Sequence, residues 1–189
     1  KSGVDMSQQH TDHQHKLSLE RRFMEPEIVT IDLKIAGVQG VIDHDAEFGP
    51  ALSELWRKLA ARMESIADKT NPLKAIGYWQ FVDNSTRVYF AGVQVDSLEN
   101  LKWDHKYGLA LWNPGPTLFA IFKEKNGEEG STTGYAFQKI EEMGYTYDGR
   151  FLGDFEVCPL EWIISEKRPE DGYHEIWIPI TKKNDDTQR

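Results

Sequence analysis

The sequence predicts an α+β domain. The expected architecture is a tandem βαββ repeat with pseudo-twofold symmetry: one antiparallel-rich sheet, two helices on one face and a ligand cleft on the other. Three observations predict it. Alternating, β-branched runs recur along the chain. Two amphipathic stretches with helical spacing fall in corresponding places. The order strand, helix, strand, strand occurs twice, so two half-sheets that each bury a face poorly can complete one another.

The first strand is IVTIDLKIAGV, Ile28 to Val38, with GVQG at Gly37 to Gly40 read as a bend after it. In AEFGPALSELWRKLAARMESIADK, residues Phe48, Leu52, Leu55, Trp56, Leu59, Met63 and Ile66 recur at helical spacing. Gly49 can cap that helix and Pro50 suits its first turn, so a helix is expected from about Pro50 to Asp68. AIGYWQFV, Ala75 to Val82, and RVYFAGVQV, Arg87 to Val95, follow as two strands around the turn DNST. DSLENLKWDHK, Asp96 to Lys106, connects the halves.

The second half opens with LALWNPGPTLFAIFKEKNG. WNPGPT breaks it, giving a strand from Thr117 to Lys123 and a short one at Leu109 to Trp112. STTGYAFQKIEEMGY is a shorter helix, capped by Ser131 or Thr132, with Ala136, Ile140 and Met143 as its face and Gly144 as its end. FEVCPLEWII and YHEIWIPI close the half as strands around the turn-rich SEKRPEDG. The domain is therefore expected over 27–181, in halves 27–96 and 107–181. Residues 1–26, with His10, His13 and His15, read as a polar tail, and 182–189 as a frayed end.

Composition narrows the partners. The 189 residues carry a net charge of −9, which disfavours nucleic acid and anionic membrane as partners and favours cationic or neutral ones. One cysteine, Cys158, excludes an internal disulfide, fits a reducing cytoplasm and reads as a buried thiol. No apolar run approaches the length of a membrane span. No metal cluster, phosphate loop or nucleophile elbow stands out, and no cofactor is expected.

Strand parity supplies the candidate site. In YHEIWIPI, Ile176, Ile178 and Ile180 share one face, while Glu175 and Trp177 share the other. If FEVCPLEWII is strand throughout, Glu161 and Ile163 point away from Leu160, Trp162 and Ile164. The aliphatic sets are expected to meet the helices, leaving Glu161, Glu175 and Trp177 on the cleft face. Parity does not fix the face of the two first-half strands. The Gly77, Trp79, Phe81 set is the choice, because a small residue beside large rings suits a pocket, and Tyr89 lies on the neighbouring strand. Trp112 and Tyr135 complete the expected lining. Rings with a desolvated carboxylate suit a lipophilic cation. The same carboxylate could act as a general base.

These residues resemble the GyrI-like (gyrase-inhibitory-like) effector-binding domain, also the ligand-binding part of MerR-type and AraC-type multidrug-sensing regulators. The resemblance is carried by the βαββ repeat, LWRKL, YFAGVQV, the helix ending in EEMGY, PLEWI and the closing HEIWIPI. It covers most of Glu27 to Ile180. It implies a cleft between the halves, aromatic in lining, with a glutamate on the penultimate strand, matched to Glu161, and a second acid on the last strand, matched to Glu175. It implies binding of a lipophilic small molecule. Some stand-alone members resemble hydrolases that open cyclopropane rings with that glutamate and a tyrosine (here Tyr78, Tyr89, Tyr107, Tyr135 or Tyr145), and others inhibit gyrase. The residues ahead of Glu27 are too few for the helix-turn-helix segment of the regulators, so direct DNA reading is not expected.

Overall fold

A computed structural model describes residues 25–43, 48–70, 72–81, 86–101, 109–126 and 132–183. The expected tail with its histidines, most of the DNST turn, the connection with Tyr107, the Ser131 cap and the last six residues lie outside the described residues.

Among the described residues seven strands and three α-helices follow one another as β1 (Glu27–Asp43), α1 (Phe48–Ala60), β2 (Lys74–Phe81), β3 (Thr86–Gln94), β4 (Ala110–Lys125), α2 (Thr132–Glu142), β5 (Tyr145–Tyr147), β6 (Phe155–Pro159), α3 (Leu160–Ile164) and β7 (Tyr173–Lys182). Every strand pairing is antiparallel, and the fold is α+β. Within the first half β1 pairs with β3 and β3 with β2; within the second, β4 pairs with β7 and β7 with β6. The halves join twice, through β1–β4 and β2–β6, so the ladder β4–β1–β3–β2–β6–β7 closes on itself.

Closure turns one sheet face inward. That face carries Leu33, Ile35, Ile76, Tyr78, Phe90, Phe119, Phe155 and Trp177, all buried in one cluster. Tyr78 stacks on Phe155 with centroids 4.3 Å apart and planes 9° apart, and on Trp112 at 5.0 Å. Burying rings of this size stabilises by roughly 1.5–3 kcal/mol each. The expected open cleft on the sheet face away from the helices is thus corrected. Among the described residues that face encloses an aromatic core, because curling the sheet until β4 meets β7 brings its own side chains together.

Both long helices cover the outer face. Leu55 and Leu59 of α1 pack with Ala36, Val38, Ala91, Val93 and Cys158. Ala136 and Ile140 of α2 pack with Ala120, Phe122, Ile176, Ile178 and Ile180. The aliphatic face of β7 therefore meets a helix, as its parity predicts. Helix α1 stops at Ala60, short of the expected Asp68. Arg62 N–H donates to the Leu59 carbonyl, tightening the chain into a 3-10 turn over Met63–Ser65, and the apolar stripe continues through Met63 and Ile66 onto the same core. Helix α2 ends at a left-handed Gly144 (φ +82°), as expected, but Met143 is exposed rather than part of its buried face.

Two further expectations are corrected. Gly37 to Gly40 is no bend; it lies inside β1, with Gly37 opposite Gly92. WNPGPT does not end a strand; β4 runs through it with an irregularity, Ile35 pairing with Trp112 and Leu33 with Gly115. The residues between are taken up by an Asx turn in which Gly115 N–H donates to Asn113 Oδ1 at 2.9 Å, with Gly115 at φ +76°. Pro114 and Pro116 are tolerated there because β4 has a partner on one side only; β7 pairs it from Phe119 onward. No described helix is long and apolar enough to cross a membrane.

Candidate functional site

An open groove of about 600 Å3 lies on the outer face, between α1 and α3 and over the ends of β2, β3 and β6. Helix α3 exists because the sheet runs out. β7 pairs β6 only as far as Val157, and β2 begins at Lys74, opposite Pro159, so the ladder ends with Leu160 N–H donating to the Leu73 carbonyl at 3.2 Å. The chain turns instead into a short helix. It buries Leu160 against the α1 cluster, packs Trp162 and Ile163 there, and leaves Glu161 and Ile164 to solvent. The strand expected through Glu161 is corrected on this ground. Alternation had placed Glu161 on a sheet face, but helical geometry past Pro159 sends it outward.

Rings and charged side chains, including the carboxylates of Glu156 and Glu166, line the groove. Trp56 comes from α1, Tyr89 from β3, Trp162 from α3, and Glu156 and Cys158 from β6. Glu156 pairs opposite Gly77 and Cys158 opposite Ala75, so all four stand on the helix-bearing face. Tyr89 lies across Gly77: a Cβ there would be 2.0 Å from the phenol oxygen, so only glycine leaves room for the ring. Trp79 meets Tyr89 edge-on at 4.7 Å, and Trp56 does so at 6.1 Å.

Burial dominates the electrostatics. It holds the Tyr89 phenol protonated well above its usual range, with the Glu156 charge adding to the effect. It likewise pushes the Cys158 thiol up to about 11, so this cysteine is an inert buried thiol at neutral pH. Glu156 is partnered: Arg168, from the segment between α3 and β7, places Nη2 2.7 Å from Glu156 Oε1. No group of metal-ligating side chains occurs among the described residues.

The expected site residues divide between the two faces. Tyr89 and Ile163 line the groove, and Trp79 packs behind Tyr89. Phe81 closes β2 opposite Arg87. Glu175 and Trp177 do share a face, as parity predicts, but it is the inner one. There Glu175 Oε2 accepts the Trp177 indole N–H at 2.8 Å and pairs with Lys74 at 3.2 Å, while Trp177 is fully buried. Trp112 joins the inner stack, and Tyr135 packs with the α2 cluster. Glu161 is exposed on α3. The carboxylate that does stand on the penultimate long strand is Glu156. Its signal was present in FEVCP, where Phe155 and Val157 alternate with Glu156 and Cys158.

No protein-family model matches the chain, and no curated protein matches it in sequence. Solved structures do match in fold. The C-terminal domain of EcmrR aligns over 85% of this chain and 100% of its own, with 12% identity and a TM-score of 0.55. EcmrR in its DNA complex aligns over 94% of this chain and 65% of its own, with 13% identity and a TM-score of 0.59. The chain shares its fold with the EcmrR C-terminal domain. A hydrolase encoded by lin2189 from Listeria innocua aligns over 89% of this chain and 97% of its own, with 16% identity and a TM-score of 0.51. At these identities the likeness establishes fold alone.

Proposed function

We propose that this protein is a GyrI-like effector-binding domain that holds a lipophilic aromatic small molecule in the groove between α1 and α3, with Glu156 as the countercharge for a cationic ligand. The observation that carries the reading is the placement of the Glu156 carboxylate with Trp56, Tyr89 and Trp162 in an open groove whose lining also includes Arg57, Glu166 and Arg168. Rings attract a cation through their negative faces, and a half-desolvated carboxylate adds charge that water screens only in part. The volume suits a drug-sized molecule. The sequence resemblance supports the same reading, and the fold shared with the EcmrR C-terminal domain is compatible with it.

Trp56 and Trp162 make the groove self-reporting. Titration with tetraphenylphosphonium is expected to quench tryptophan fluorescence at micromolar concentration. Glu156→Gln is expected to weaken binding about tenfold, equivalent to about 1.4 kcal/mol. Glu161→Gln, on the solvent side of α3, is expected to leave it within about twofold. Undiminished binding in Glu156→Gln would remove Glu156 from the site.

A hydrolytic reading shares the groove and is favoured by one observation: the Tyr89 phenol, a proton source, lines it together with Glu156. Glu156 would take a proton from water as its oxygen attacks a strained ring carbon. The electron pair of the breaking C–C bond would take the Tyr89 proton, and the tyrosinate would recover it from Glu156 through solvent. Turnover of an electrophilic cyclopropane, lost in Tyr89→Phe and in Glu156→Gln, would establish it.

A further inference from the structure

We infer that Arg168 sets the charge selectivity of this groove: it is a tethered cation on Glu156 that a lipophilic cation must displace and a neutral aromatic ligand need not. The inference rests on the groove reading above and deepens it.

Both partners line the groove, and the ion pair is 2.7 Å long with the Arg168 and Glu156 side chains 40% and 35% exposed. A charge-assisted hydrogen bond of that length is a real competitor for an incoming cation. The exposed side of the pair is screened by solvent, so the competitor can be displaced.

The surrounding chain holds the guanidinium in place without locking it. Segment 165–171, between α3 and β7, is exposed throughout. Its backbone is pinned directly after Arg168, where the Pro169 carbonyl accepts from Asn126 Nδ2 at 2.8 Å and from Gly172 N–H at 3.0 Å. Asn126 N–H in turn donates to the Gly172 carbonyl at 3.0 Å, and Asn126 is itself buried. The Cα of Arg168 is thus fixed near the groove, while its long side chain has solvent on one flank. Releasing Glu156 takes a change of rotamers and leaves the segment where it is.

The other charged groups on the groove do not substitute for it. Arg57 on α1 is engaged with Glu54, one turn away on the same helix. Glu166 is exposed at the left-handed position that ends α3. Tyr89 and Cys158, the remaining titratable groups facing the pair, are buried and neutral. With Arg168 seated, the Glu156 wall is neutral overall, and flat uncharged aromatics meet rings and a closed ion pair. With Arg168 swung out, the same wall presents an anion.

The test uses the full chain and two probes of similar shape, tetraphenylphosphonium and the neutral triphenylphosphine oxide. Arg168→Gln is expected to tighten phosphonium binding about threefold or more and to leave the phosphine oxide unchanged. In a Glu156→Gln background the phosphonium loses its anion, so Arg168→Gln is expected to relieve only the direct repulsion by the guanidinium and not to restore the affinity of the Arg168→Gln single variant. Arg168→Lys, which keeps the charge without the planar fork, is expected to give a smaller gain and serves if the glutamine variant folds poorly. Equal or weaker phosphonium binding in folded Arg168→Gln overturns the inference while leaving the groove reading intact, and so does a double variant that binds phosphonium as tightly as Arg168→Gln alone. Binding of neither probe by any of the proteins overturns both.

Discussion

Trp177 donates its indole N–H to Glu175 Oε2 at 2.8 Å, two residues back on the same inward face of β7. Lys74 Nζ lies 3.2 Å from that oxygen and 5.0 Å from the Trp177 ring centroid. The acid, the indole and the ammonium form a small plug where β2, β6 and β7 meet. Glu175 is part of the barrel's own structure, whereas Glu156 faces the groove on the other side of the sheet.

Truncating Glu175 strands the buried indole N–H. Glu175→Ala is expected to lower stability by about 1–3 kcal/mol, the cost of an unsatisfied buried donor. Glu175→Gln keeps an acceptor for the indole and is expected to cost less. Urea midpoints of the two variants check this; equal midpoints would mean that water satisfies the indole.

Gly37 tests the closure of the sheet. A Cβ there would stand 2.2 Å from the Ala91 carbonyl oxygen and 2.6 Å from Gly92 Cα, so β1 and β3 would have to part. Gly37→Ala is expected to destabilise by about 3 kcal/mol or more, at the severe end of overpacking. Gly49→Ala is the control. Nothing lies within 4 Å of its Cβ, and it sits in the first turn of α1, so it is expected to be neutral or to stabilise by about 0.5–1 kcal/mol. Thermal melts of both variants decide.

Asp154 precedes β6 and is held above the usual carboxylate range chiefly by burial, with the Glu156 charge contributing. In the unfolded chain such a carboxyl titrates near 3.8. As pH rises through the window above that value, the folded protein keeps a proton that the unfolded chain releases, so stability falls and stays lower at neutral pH. Asp154→Asn is therefore expected to be more stable than the parent at neutral pH, with the advantage vanishing by about pH 3. Urea unfolding at both pH values checks the sign.

Cys158 reports on the groove. Its thiol is pushed up to about 11 and its side chain is buried, so at pH near 8 it is expected to react with a disulfide reagent far more slowly than a free cysteine. Because Cys158 lines the groove, saturating tetraphenylphosphonium is expected to slow the reaction further. A rate unaffected by a bound ligand would place that ligand elsewhere.

The sequence by itself determined the local order. Alternation at YHEIWIPI placed the isoleucines against a helix and Glu175 beside Trp177, and helical spacing marked α1 and α2. These patterns follow from chain geometry within a few residues. Tertiary structure alone decided which side of the sheet is inside, because that depends on β4 meeting β7 across the whole chain. It also decided where β6 stops. LEWII is apolar enough for a strand, but a strand needs a neighbour to satisfy its backbone, and past the Leu160 N–H bond to the Leu73 carbonyl the ladder does not continue. Past the end of that ladder Glu161 turns out to solvent on α3, whereas Glu156, still on β6, lines the groove.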